Sequence, residues 1–239
     1  MEVDILAFGA HPDDVECGAG GILARHAAEG YRCGIVDLTA GEMSTNGTVE
    51  ERKAEASKAA EILNCPIRKC LNLPDAHLSV EQEGVYSVIK VLREFKPRIV
   101  LAPFYRDDRH PDHGVAGELV RRAVYLAGLK SLPLEGDAFR PQKLFFFLLY
   151  VNRDPDLIVD VSDYYQIKEA AIRAHQTQFQ QHCYGGEGPL SLVNDSFFLR
   201  FISSRDRYFG SLIGASCGEG VVPYGKLAVA DLCGEVGFK

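Results

Sequence analysis

Two short clusters carry side chains that can do chemistry together. His11-Pro12-Asp13-Asp14 offers one imidazole and two carboxylates, and His110-Pro111-Asp112-His113, far along the chain, adds two imidazoles and a third carboxylate. A closed structural site needs fewer donors than this. Two histidines and one carboxylate around an open position form a catalytic arrangement for zinc, or a facial triad for iron(II). The plainer reading of Asp13 and Asp14 is that they cap a helix.

The elements around the clusters decide between these readings. Val3 to Phe8 is an apolar run of strand-forming residues ended by Gly9, and a helical pattern begins after Pro12. Ile99 to Pro103 is a second apolar run ahead of His110. Both clusters therefore sit at strand-to-helix corners, which in an open α/β sheet lie at the carboxyl edge where ligands bind. Pro12 stiffens its corner by fixing φ and removing an N–H that a first helical turn leaves unpaired. Residues three apart on such a turn converge, so His11 and Asp14 can share an ion while Asp13 points elsewhere.

The rest of the first half alternates strand and helix. Gly18 to Gly30 reads as a helix rich in small residues, Cys33 to Leu38 as a strand, and Thr39 to Ser44, with Glu42, as another carboxyl-edge loop. Thr48 and Glu51 form a capping box opening a helix to Leu63, with Val49, Ala56, Ala59 and Leu63 along one face and Arg52 near its start. Ile67 to Leu71 and Arg98 to Ala102 are strands flanking a helix whose buried stripe is Val85, Ile89, Leu92 and Phe95. His110 opens a helix reaching about Leu129. This order predicts an α/β, Rossmann-like fold: a mostly parallel sheet flanked by helices, with the metal site at the carboxyl edge. Gly18-Ala19-Gly20-Gly21 is not a dinucleotide fingerprint, because the His-Pro-Asp-Asp corner already fills the turn where phosphate-cradling glycines would lie.

Later the order loosens. Lys143 to Val151 and Leu157 to Val159 read as strands, Ser162 to His175 as a helix followed by a Gln-rich stretch to Gln181, and Pro189 to Arg205 as a final helix. Tyr184 to Pro189 is glycine-rich loop, and Lys226 to Ala230 a short strand. His77, His175 and His182 belong to no convergent motif and read as loop or surface groups. The reading is one domain over 1–239, with a parallel core to about 130 and the remainder completing the pocket.

Composition narrows the class. A net charge of −7 and a pI near 5.5 argue against bulk nucleic-acid binding, so an anionic substrate would need locally placed arginines. Arg106 and Arg109 stand just before His110 and meet that need. The seven cysteines are odd in number and lack paired metal spacing, as expected of reduced thiols. No signal-like segment precedes the first strand and no apolar run reaches membrane-spanning length, which predicts a cytoplasmic protein.

The motifs Ala10-His11-Pro12-Asp13-Asp14 and His110-Pro111-Asp112-His113 resemble those of the LmbE/PIG-L-like zinc deacetylases, which remove acetyl from N-acetylglucosaminyl compounds, and the resemblance runs through Ile213. One departure is Val15 where Glu commonly stands, with Glu16 one place later. Softer features, including Arg109 and Arg205-Asp206-Arg207, are most similar to the bacillithiol-pathway deacetylases, which act on N-acetylglucosaminyl malate. The resemblance implies zinc, with iron(II) also fitting, on His11, Asp14 and His113, Asp13 as general base, and a protonated His110 oriented by Asp112. It further implies substrate contacts from Arg109, Arg52, Glu42 and Arg140, and a homo-oligomer. The rival expectations are a chitobiose-like sugar as substrate, a metal-binding protein without turnover, or an iron(II) oxygenase.

Overall fold

A computed structural model describes residues 2–107, 109–150, 153–179 and 196–228. The elements run β1 (Ile5–Gly9), α1 (Asp14–Ala28), β2 (Cys33–Thr39), α2 (Val49–Ile62), β3 (Ile67–Leu73), α3 (Gln82–Phe95), β4 (Ile99–Pro103) and α4 (Pro111–Leu126). They continue with β5 (Lys143–Phe147), β6 (Leu157–Asp160), a 3₁₀ turn (Ser162–Tyr164), α5 (Tyr165–Ala174), α6 (Gln176–Phe179), α7 (Ser196–Leu212) and β7 (Gly218–Pro223). Among the described residues no helix is long and apolar enough to cross a membrane.

One seven-stranded sheet has the order β3-β2-β1-β4-β5-β7-β6. β1 to β5 are parallel, and β7 inserts antiparallel between β5 and β6, pairing Phe146 with Val222 and Ile158 with Gly220. β1 and β2 are buried along their whole length, which explains their continuous apolar runs: helices cover both faces of a parallel sheet. Phe8, Leu38, Val100 and Phe146 pack against α3 and α4, while Ala7, Ile35, Leu101 and Phe147 face α1 and α5 on the other side.

The strand order brings the two clusters together. The chain winds outward from β1 to β3 and then returns to pair β4 with the other edge of β1, setting Ala7 beside Leu101. The crevice opens at this reversal. The corners after β1 and β4 are therefore neighbours despite their separation in sequence.

α1 lies close on the sheet. A Cβ at Gly18 would collide with the Phe147 ring, and one at Gly21 would stand 2.8 Å from Val161 Cβ. A fully buried charge cluster fixes its position: Lys168 Nζ lies 2.6 Å from both Asp206 and Glu219, and Glu219 accepts from the Gly21 and Ile22 amides. Arg205 donates to the carbonyls of Cys17, Leu148 and Leu149, joining α1, the end of β5 and α7.

Several boundaries differ from expectation. α1 begins at Asp14 rather than Gly18, because the last residue of the first cluster already adopts the helical turn. β5 stops at Phe147, the last residue paired to both neighbours. The last strand among the described residues is Gly218–Pro223; of the strand expected at Lys226 to Ala230, residues 226–228 form none and 229–230 lie outside the described residues. The described part of the final helix extends to Leu212 instead of ending at Arg205. The capping box at Thr48 and Glu51 is present, though Val49 is exposed rather than on the buried face. The glycine-rich stretch 184–189 and His182 lie outside the described residues.

Candidate active site

The first corner is held from several sides. The Thr39 amide and hydroxyl both donate to Ala10 O, at 3.0 and 2.9 Å, and the His11 amide donates to Asp14 Oδ2 at 2.9 Å. Buried Arg52 donates to Pro12 O and Gly41 O, and its Nη2 lies 3.6 Å from Asp13 Oδ2. Asp13 stands at φ 147° and ψ −21°, a conformation that L-residues avoid, and although it occupies the N-cap of α1 its side chain makes no capping bond. Such strain costs about 1–3 kcal/mol and persists where the surroundings over-determine it. Asp13 is thus not a simple cap, and its carboxylate lines a cavity of about 270 Å³.

Asp14 stands between two histidines. Its Oδ2 is 3.6 Å from His11 Nδ1 and its Oδ1 is 3.1 Å from His113 Nε2. Each ring is backed by a further carboxylate: His113 Nδ1 lies 3.6 Å from Asp107, and His11 Nε2 lies 3.0 Å from Asp75 and 3.5 Å from Asp112. Carboxylates behind metal-binding histidines set ring orientation and raise ligand basicity. Among the described residues, two donor sets close to within 4.8 Å, His11 with His110 and His113, and His11 with Asp75 and Asp112.

The electrostatics favour a cation here. Burial alone would raise the Asp14 carboxyl, but His113 and His11 hold it well below the carboxylate range. Burial alone would lower the His113 imidazole, yet Asp14 and Asp107 lift it to about 9. His11 is likewise raised by Asp112, Asp14 and Asp75 against its burial. His113 Nδ1 is buried without a hydrogen bond. Acidic groups that draw protons onto both imidazoles suit a divalent ion, which would displace those protons. The residues therefore fit a metal.

The second corner is an ordinary helix start. His110 is the N-cap of α4, Pro111 takes the first helical position, and the His110 Nδ1 accepts the Asp112 amide at 3.3 Å. Burial, then the neighbouring His11 and His113, lower the His110 pKa. Asp112 does not orient His110 through its side chain. Its carboxylate accepts the Ala76 amide at 2.8 Å and faces His11, so only its peptide N–H holds the His110 ring.

The model of one protein family, described as GlcNAc-PI de-N-acetylase (PIG-L), matches residues 6–124, from β1 through both clusters into α4. The chain belongs to the PIG-L deacetylase family. The conserved protein TT1542 from Thermus thermophilus superposes with a TM-score of 0.85 at 38% identity, covering 95% of this chain and 98% of that one. Diacetylchitobiose deacetylase from Thermococcus kodakarensis is 29% identical over 91% of this chain and 81% of its own length. The probable N-acetyl-alpha-D-glucosaminyl L-malate deacetylase 2 of Bacillus subtilis is 26% identical over 74% and 84%.

The substrate candidates of this PIG-L chain are dispersed. Arg52 lines the cavity. Arg109 is exposed at its rim, its guanidinium carbon 4.3 Å from the centre of the cavity-lining Tyr150 ring, and no carboxylate among the described residues pairs with it. Arg106 turns to the Tyr105 ring, at 5.4 Å. Glu42 accepts the Asp75 amide at 2.7 Å and supports that loop rather than lining the cavity. Arg140 is not brought to the cavity: it packs on Tyr125 at the end of α4 opposite His110, a helix length of about 24 Å away.

Sequence reasoning missed Asp75, Asp107 and His175. Asp75 follows a strand in no motif, and the αL turn at Ala76 (φ 60°) aims an N–H at both Asp75 and Asp112. Burial alone would raise Asp75, but His11 and the Met43 and Ala76 amides hold it at about 2. His175 is not a surface group: it is fully buried, 3.2 Å from Glu16.

Proposed function

We propose that this PIG-L deacetylase removes the acetyl group from N-acetyl-α-D-glucosaminyl L-malate, with His11, Asp14 and His113 holding zinc or iron(II). The carrying observation is Asp14 set between two carboxylate-backed histidines beside the strained, cavity-facing Asp13. A divalent ion there would lower the pKa of a coordinated water and polarise the amide carbonyl. Asp13 takes the proton of the attacking water and passes it to the departing amine nitrogen. Burial raises its carboxyl above the usual range, opposed by Arg52, and a raised carboxyl is a better proton acceptor than an ordinary one. His110 offers its Nε2–H to the developing oxyanion. It does so as a neutral ring, because an imidazolium could not accept the Asp112 amide at Nδ1.

The anionic aglycone is supported by Arg109. An aglycone reaching out of the cavity would meet the rim, where the Arg109 guanidinium has no carboxylate partner among the described residues. Acetate release from N-acetylglucosaminyl malate, N-acetylglucosamine and N,N′-diacetylchitobiose, each before and after chelation, tests both parts. The malate conjugate should be turned over fastest and chelation should stop it. Faster turnover of the disaccharide would replace malate with a neutral sugar, activity surviving full metal removal would overturn the metal assignment to His11, Asp14 and His113, and no acetate release from any of the three would overturn the deacetylation reading.

A further inference from the structure

Arg109 would be a poor specificity element if nothing fixed it. It stands in an exposed segment, a flexible arginine loses side-chain entropy when it is fixed, and among the described residues its hydrogen bond to the centre is that of its backbone amide to Asp107 Oδ1, at 3.1 Å. What meets its guanidinium is an aromatic surface. The Tyr150 ring lies 4.3 Å away and the Phe198 ring 6.0 Å. The same Tyr150 ring stacks on His113, with centroids 6.1 Å apart and planes at 20°. Behind it stand Phe201, at 5.8 Å and 29°, and Phe198, at 6.2 Å. The backbone just ahead of Tyr150 is itself pinned, since Leu148 O and Leu149 O both accept from buried Arg205.

We propose that Tyr150 is a positioning residue for Arg109, setting the distance between the metal-side histidine and the anion-binding guanidinium and so the preference for anionic over neutral conjugates. This rests on the reading that Arg109 receives the anionic aglycone. A guanidinium over an aromatic face keeps its edge N–H groups free, so the contact that holds Arg109 leaves its bidentate fork open to a carboxylate. A salt bridge would have occupied that fork.

The test reads the ratio of kcat/KM for N-acetylglucosaminyl malate to that for N-acetylglucosamine, in wild type and in a double-mutant cycle of Tyr150→Leu with Arg109→Met. Tyr150→Leu removes the π face and should lower the ratio by about two- to thirtyfold, with the loss carried by KM of the malate conjugate. Tyr150→Phe keeps the face and should keep the ratio. In the Arg109→Met background Tyr150→Leu should no longer change the ratio. Should Tyr150→Leu not fold, Tyr150→Met, which fills the space without a π face, is read in the same way. Equal losses on both substrates, additive effects in the cycle, or a Phe variant as poor as the Leu variant would overturn the positioning role while leaving Arg109 as the anion contact. An unchanged ratio in Arg109→Met alone would overturn the anionic reading and this role with it.

Discussion

The corner after β1 and the corner after β4 carry similar clusters but are built on different principles. The first is braced from outside, by Thr39 and Arg52 on neighbouring elements, and holds Asp13 in a backbone conformation that costs energy. The second is a relaxed helix start, with His110 as cap and Pro111 in the first turn, and leaves His110 half-buried. The proposed general base, Asp13, thus sits where strain and packing restrict it, and the proposed oxyanion donor, His110, where among the described residues a backbone amide bonds its ring. Rigidity is concentrated at the residue proposed to meet the attacking water, in line with strain being tolerated at working positions.

The largest expected effect tests whether the corners meet at one ion. Asp14→Ala and His113→Ala should each abolish activity and lower bound metal together, because each removes one of the three proposed ligands, one from either corner. Metal content by elemental analysis beside acetate release checks this. Full occupancy in His113→Ala would leave the second corner without a part in metal binding.

Next come the substitutions that separate chemistry from scaffolding. Asp13→Asn should keep metal and lose turnover by on the order of a hundredfold or more, since an amide cannot take the proton. Asp13→Gly should be as inactive yet more stable by about 1 kcal/mol in urea unfolding, because glycine relieves the positive φ. At the second corner no such gain is available. His110→Asn keeps a good N-cap, so stability should stay within about 1 kcal/mol of wild type while turnover falls by on the order of a hundredfold. A destabilised Asp13→Gly would mean that its carboxylate, through Arg52, holds the corner more than strain opposes it.

The two corners also differ in how much of them was legible. Residue types and their placement after apolar runs are enough to find His11, Asp13, Asp14, His110 and His113, because a strand, a turn and donors three apart are local features. Asp75 and Asp107 are second carboxylates behind a ring, and their roles exist only after β3, next to β2, and β4, next to β1, have taken their places in the sheet. His175 sits in a Gln-rich polar stretch that masks its burial against Glu16. The insertion of β7 between β5 and β6 was equally hidden, since Gly218-Glu219-Gly220 reads as a tail until Glu219 is seen accepting amides from α1. Arg140 shows the opposite failure, a residue suggested by likeness that this chain directs to the far end of α4.

The smallest expected effect on turnover is also the one with the clearest pH signature. Glu16 follows the first corner, is fully buried, pairs with Arg68, and lies 3.2 Å from His175, while Arg68 grips Asp37 at 2.8 and 2.9 Å. Burial alone would raise the Glu16 carboxyl, but Arg68 and His175 bring it from 4.5 to about 2. At about 1.4 kcal/mol per tenfold change in proton affinity, this stabilises the fold at neutral pH by about 3 kcal/mol. Because the folded value is the lower one, that stability is fully present above 4.5 and is lost as pH falls towards about 2. Glu16→Gln should therefore unfold more easily than wild type at pH 7, with a gap of a few kcal/mol that closes across the acid window. Turnover of the folded variant should change little, since Glu16 does not line the cavity. Paired urea titrations at neutral and acid pH, at equal metal loading, check the sign. A gap independent of pH would mean that Glu16 stabilises the corner by shape rather than charge, and a large loss of turnover in the folded variant would extend the braced region from Asp13 to Glu16.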